Sequence, residues 1–186
     1  PAVMCLDRNF SETIETLTDL RQLTSTPAKG RLLRPSGRRK GRIGWVRNAT
    51  NFSSLQTISA GAALMLASEY DRISSVTGYA PATLDIEKWN PSVKATLAAL
   101  GFFKLLDLEV DVQPSDSGLI IEPMISGSDV NMEPVNAAIA SLFAKGQNDL
   151  ALRLQLASAV TDAVENVRGH AYPEGWIDHR AQVPRW

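Results

Sequence analysis

The sequence predicts an α/β fold, and three observations lead to it. Residues 1–112 alternate short apolar runs with segments of helical period, the pattern of strands and helices packed in layers. Residues that favour helix starts stand at the heads of several periodic segments, Asn90-Pro91 most plainly. With 186 residues, 44% of them hydrophobic, the chain is long enough to bury one good core.

The elements are expected in this order. Ala2 to Leu6 is a short apolar run and reads as a strand. Asn9 or Ser11 can cap a helix that runs to about Leu23, with Phe10, Ile14, Leu17 and Leu20 on one face. Lys29 to Arg42 reads as a loop broken by glycines and Pro35, and Ile43 to Val46 as a strand. Asn48 to Thr57 is polar and turn-rich. Ile58 to Val76 is a helix with Ala60, Ala63, Leu64, Ala67 and Tyr70 or Asp71 at helical spacing, ended by Gly78. Ala82 to Ile86 is a strand. Asn90 caps a helix that carries Val93, Leu97 and Leu100 and ends near Gly101. Phe102 to Leu106 is a compact apolar segment leading to a strand at Leu108 to Val112.

After the turn at Pro114 to Gly118, Leu119 to Ser126 alternates as an edge strand does, with Pro123 in it. Helices follow at Glu133 to Lys145 and from Asn148 or Asp149 onward. Three segments result: an α/β unit over 1–112, a strand and two helices over 119–173, and an irregular tail over 174–186. The stripe Leu152, Leu156, Ala159 and Ala163 on the last helix is expected to be buried, against the first unit or a second copy of the chain.

Composition excludes several classes. The formal net charge is −1, which predicts no nucleic-acid or acidic-membrane partner from bulk charge. One cysteine, Cys5, forms no internal disulfide, builds no cysteine zinc site and suits a reducing cytoplasm. The longest apolar run, Ala60 to Ala67, is too short for a bilayer. Residues 1–10 lack the basic and apolar regions of a secretion signal, and Pro1 in place of Met fits processing or trimming. His170 and His179, nine apart and without partner cysteines, make a poor metal pair.

The segment TISAGAALMLASEYDRI, the strand ATLDI and the segment WNPSVKATLAALGFFKLLDL together resemble a STAS-type domain over residues 40–112. Ser59-Ala60-Gly61 occupies that family's Ser-x-Gly turn, with Ile58 where the family has Asp. Trp89-Asn90-Pro91 and Gly101-Phe102-Phe103 resemble a variant found in bacterial proteins that join a STAS-like module to a GHKL ATPase. The resemblance implies a mixed sheet with helices. It makes Ser59 a candidate for phosphorylation by a GHKL kinase, beside the simpler role of a helix cap.

The segment DAVENVRGHAYP resembles the N box of GHKL ATPases, the helix that holds Mg-ATP. Asp162 and Asn166, four residues apart, fall on one helical face. The resemblance gives Asp162 the general-base position, in place of the usual glutamate. It gives Asn166 the Mg²⁺ and implies nucleotide contacts for Asn166, Glu165 and His170. No Asp-x-Gly-x-Gly stands in the chain, so Mg-ATP is expected only of a longer form, and no cofactor of this chain.

Lys29, Arg31, Arg34, Arg38, Arg39, Lys40, Arg42 and Arg47 form a basic loop without an acid between them. They read first as a flexible, solvated hairpin tip and second as a patch for phosphate backbones or an acidic partner. The leading expectation is a cytoplasmic regulatory protein of bacterial signalling type, acting on another protein or a second copy of itself, with no catalysis by this chain. The alternatives are an ATPase or serine protein kinase completed by further sequence, and a nucleic-acid module using the loop at 29–47.

Overall fold

The computed structural model describes residues 1–25, 49–77, 81–112, 121–126, 132–145 and 149–167. They form a mixed α/β structure of helices and short parallel strands. In chain order these are β1 (Val3–Met4), α1 (Phe10–Ser25), β2 (Ala49–Asn51), β3 (Thr57–Ile58), α2 (Ala60–Thr77) and β4 (Ala82–Leu84). A 3-10 turn at Ile86–Lys88 follows, then α3 (Pro91–Ala99), α4 (Phe102–Leu105), α5 (Met132–Lys145) and α6 (Leu150–Asn166). β1 pairs with β3, Val3 opposite Thr57 and Met4 opposite Ile58. β2 pairs with β4, Ala49 opposite Ala82 through Asn51 opposite Leu84. Both pairs are parallel, so each needs a long crossover.

Local chemistry sets the helix ends. Asn9 stands before α1, and its carbonyl accepts from Thr13 N at 3.1 Å. Its side-chain amide donates to Val3 O at 2.9 Å and to Glu12 Oε2 at 2.8 Å, tying the strand exit to the first turn. Leu17 and Leu20 are buried and Ile14 packs on the core, as the period predicted. Phe10 is 59% exposed instead of buried. The fully buried Thr13 takes the next turn, its hydroxyl accepting from Cys5 N at 3.0 Å. Asn90 caps α3 by accepting from Ser92 N at 2.9 Å, with Pro91 at the first position, and Val93, Leu97 and Leu100 are buried. Gly101 then reverses the chain at φ 77°, a left-handed conformation that costs a side-chain-bearing residue about 1–2 kcal/mol.

Several expectations need correction. The polar stretch Asn48 to Thr57 holds β2 and the buried Phe52 and Leu55. Residues 108–112 form no strand; Val110 and Val112 press onto the core instead. The described part of the second expected strand, 121–126, is also irregular, and Met124 N donates to Leu100 O at 3.0 Å. In both, alternating apolar residues are satisfied by packing on helices, with no ladder. The strand at Ala82 stops at Leu84 because Asp85 turns left-handed at φ 55°. On α2 the buried side is Ala62, Ala63, Leu66, Ala67, Tyr70 and Ile73, while Leu64 is 44% exposed. The expected strand at 43–46, the turn at 114–118 and the tail at 174–186 lie outside the described residues, as does Gly78.

The main core is one cluster reaching from Met4 to Leu106. Its centre is a chain of rings. Phe52 meets Trp89 edge-on at 5.0 Å and Tyr70 at 6.3 Å. Tyr70 meets Phe102 edge-on at 4.9 Å, Phe102 meets Phe103 at 5.7 Å, and Phe103 lies 6.0 Å from Trp89. Such pairs add about 0.5–1.5 kcal/mol each beyond area burial. The Trp89 indole also donates to Leu84 O at 3.0 Å. The buried Tyr70 hydroxyl is bonded to Thr50 Oγ1, and burial pushes its phenol far above the ordinary range. Helices α5 and α6 pack on each other, and their buried Val135, Ile139 and Val164 lie outside this cluster. Ser126 Oγ to Asp71 Oδ2 at 3.2 Å and Ser141 Oγ to Glu122 Oε1 at 2.9 Å link 121–126 to α2 and to α5.

Of the two covers expected for the α6 stripe, the first unit of the chain is not one. Leu152 is 46% exposed, Ala159 and Ala163 are exposed, and Leu156 is half-buried. The side turned inward is Ala157, Val160, Thr161 and Val164, about a third of a turn away.

The ring chain predicts a graded loss of stability. Trp89→Ala is expected to cost about 3–5 kcal/mol in urea unfolding. Tyr70→Phe, which keeps the ring and removes one hydrogen bond, is expected to cost about 1 kcal/mol. Equal costs would show that the ring contacts are not what holds the core.

Candidate functional site

Parallel pairing of β1 and β3 brings the ends of both strands to one edge, where α1 and α2 start. In open α/β sheets ligands bind outside this carboxyl edge. Ser59 stands there, directly before α2. Its N–H donates to Met4 O at 2.9 Å, its carbonyl accepts from Ala63 N at 2.8 Å, and its Oγ accepts from Ala62 N at 3.3 Å. Ser59 is therefore the helix cap, with its side chain half-exposed. Two residues on, a Cβ at Gly61 would come within 3.1 Å of Leu6 Cδ1, so the Ser-x-Gly turn lies close against the β1 exit.

Cys5 follows β1 on the same edge and is half-buried. Its thiol is held below the ordinary range. The Asp7 backbone amide contributes most, then the Arg8 amide and, after an opposing desolvation, the Ser59 hydroxyl; the Asp7 carboxylate opposes. Sequence reasoning missed the neighbourhood of Cys5, because Ser59 lies 54 positions away and reaches it only through strand pairing.

The other strand pair ends in a second polar cluster that sequence reasoning also missed. Asn51 Nδ2 donates to Asp85 Oδ2 at 2.9 Å, and Lys88 Nζ lies 3.0 Å from Asp85 Oδ1. Ser53 N donates to Asn51 Oδ1 at 2.8 Å. The Asp85 hydrogen bond and charge raise the Lys88 pKa. The i,i+3 spacing of Asp85 and Lys88 was visible in the sequence; the Asn51 contact was not. Both Asp85 oxygens are engaged within the protein, so the cluster works as a clasp between β2 and β4.

Asp162, Glu165 and Asn166 stand on the last turns of α6, all three exposed. Asp149 caps the other end of that helix, its Oδ1 accepting from Ala151 N at 2.9 Å and Leu152 N at 3.2 Å. His170, and Arg38, Arg39, Lys40 and Arg42 of the basic loop, lie outside the described residues. Among the described residues no group of three or more His, Cys, Asp or Glu is placed to hold a metal ion. Asp162 and Asn166 on an open helix face do not by themselves enclose a nucleotide. Ser59 belongs to the edge of the main core and the α6 residues to a helix pair outside it, so these candidates form no common site.

Two expected outcomes follow. Alkylation of Cys5 by iodoacetamide should show a midpoint pH below that of a free thiol, because more thiolate is present at each pH, and Ser59→Ala should move it upward. An ordinary midpoint unaffected by Ser59→Ala would contradict this geometry. Calorimetric titration with Mg-ATP should show nothing tighter than about 1 mM. Micromolar binding abolished by Asn166→Ala would mean that a nucleotide site is built after all.

Among the described residues no helix is long and apolar enough to cross a membrane. No family model, curated protein or solved structure matches the chain.

Proposed function

We propose that the chain is a regulatory module that works by binding another protein in a reducing cytoplasm, with phosphorylation of Ser59 as its switch. The observation that carries this reading is the position of Ser59: half-exposed, at the start of an 18-residue helix, on the edge where parallel strands end. The STAS resemblance of the same turn supports it. In the proposed step Ser59 Oγ forms a bond to the γ-phosphorus of ATP held by a separate kinase. The bond from that phosphorus to the β-phosphate oxygen breaks, ADP leaves, and the hydroxyl proton passes to a base of the kinase. The new group carries a charge of about −1.5 to −2 at neutral pH. It would sit at the positive end of α2, where free amides favour an anion.

Further along the same helix, Leu64 is 44% and Met65 39% exposed, beside an open groove of about 420 Å³ shared with Ile14 and Leu17 of α1. Apolar side chains left in water on the switch helix suit contact with another protein. The reading needs no nucleotide held by this chain.

Phosphopeptide mapping of the protein isolated from the cells that make it is expected to find phosphate on Ser59, and none there in Ser59→Ala. Unmodified Ser59 in both growing and starved cells would overturn the switch. A role as helix cap alone predicts something different: Ser59→Ala then costs about 1 kcal/mol of stability, Ser59→Asp costs almost nothing, and neither changes signalling.

A further inference from the structure

We draw no further inference here: the strongest candidate, the open pocket of about 340 Å³ floored by Met4 of β1, Leu20 of α1 and Phe52 and Leu55 after β2, has among the described residues no buried, unpartnered polar side chain in its lining to say which ligand it would take.

Discussion

Strands of two and three residues make too few ladder hydrogen bonds to hold this set of helices, and the arrangement rests instead on the packing of Phe52, Tyr70, Trp89, Phe102 and Phe103. The five rings come from four separate parts of the chain. Phe52 follows β2, Tyr70 lies on α2, Trp89 stands between β4 and α3, and the two phenylalanines open α4. The ring contacts therefore fix where the strands and helices meet. The polar tips of two of the rings reinforce this. The Trp89 indole holds the β4 carbonyl at Leu84, and the Tyr70 hydroxyl holds Thr50 on β2. Both partners lie on the β2–β4 pair, so that short pair is held from its flanks as well as by its own ladder.

The other pair, β1–β3, is held in a related way and bears the candidate switch. Thr13 and Asn9 of the α1 start bond to the backbone of Cys5 and Val3, and Ser59 N bonds to Met4 O. Side chains at the helix starts thus do work that a longer ladder would do elsewhere. One consequence is chemical. The amides that turn the chain after β1 face the Cys5 sulfur, and the hydroxyl that caps α2 stands next to it. A group added to Ser59 would change the charge beside the β1 exit and the cap of α2 together. Structure and regulation would then share the same few hydrogen bonds.

Helix caps were legible in the sequence because they act over two or three residues. Asn90 with Pro91 caps where it was expected to, Asp149 stands where the last helix was expected to begin, and Ser59 takes the cap role named for it. The buried Val93, Leu97 and Leu100 of α3 were legible for a similar reason, since that helix has one continuous apolar side. The missed elements depend on distant partners. β2 has a polar sequence, Ala49-Thr50-Asn51, and is a strand only because β4 lies beside it. Residues 108–112 and 121–126 have apolar spacing fit for strands, yet find helices to lean on. The pairing of Cys5 with Ser59 and the Asn51–Asp85 contact are also products of chain crossing, which no local pattern announces.

Which face a helix buries was the hardest thing to read, and the two failures share a cause. α2 and α6 are rich in Ala and Leu on more than half of their circumference, so several stripes satisfy the helical period equally well. Periodicity then proves a helix without naming its inner side. Packing selects the side by closeness of fit. On α2 it takes the small residues Ala62, Ala63 and Ala67 inward, with Leu66 and Tyr70, and leaves Leu64 and Met65 outside. On α6 it takes Val164 inward and leaves the Leu152-to-Ala163 stripe outside. A helix with one apolar side ends its work in the core. A helix with two has a side left over, and leaving large apolar side chains in water costs roughly 25 cal/mol for each Å² that a neighbour would cover. The surplus faces of α2 and α6 are therefore where contact with other molecules would stabilise this chain most.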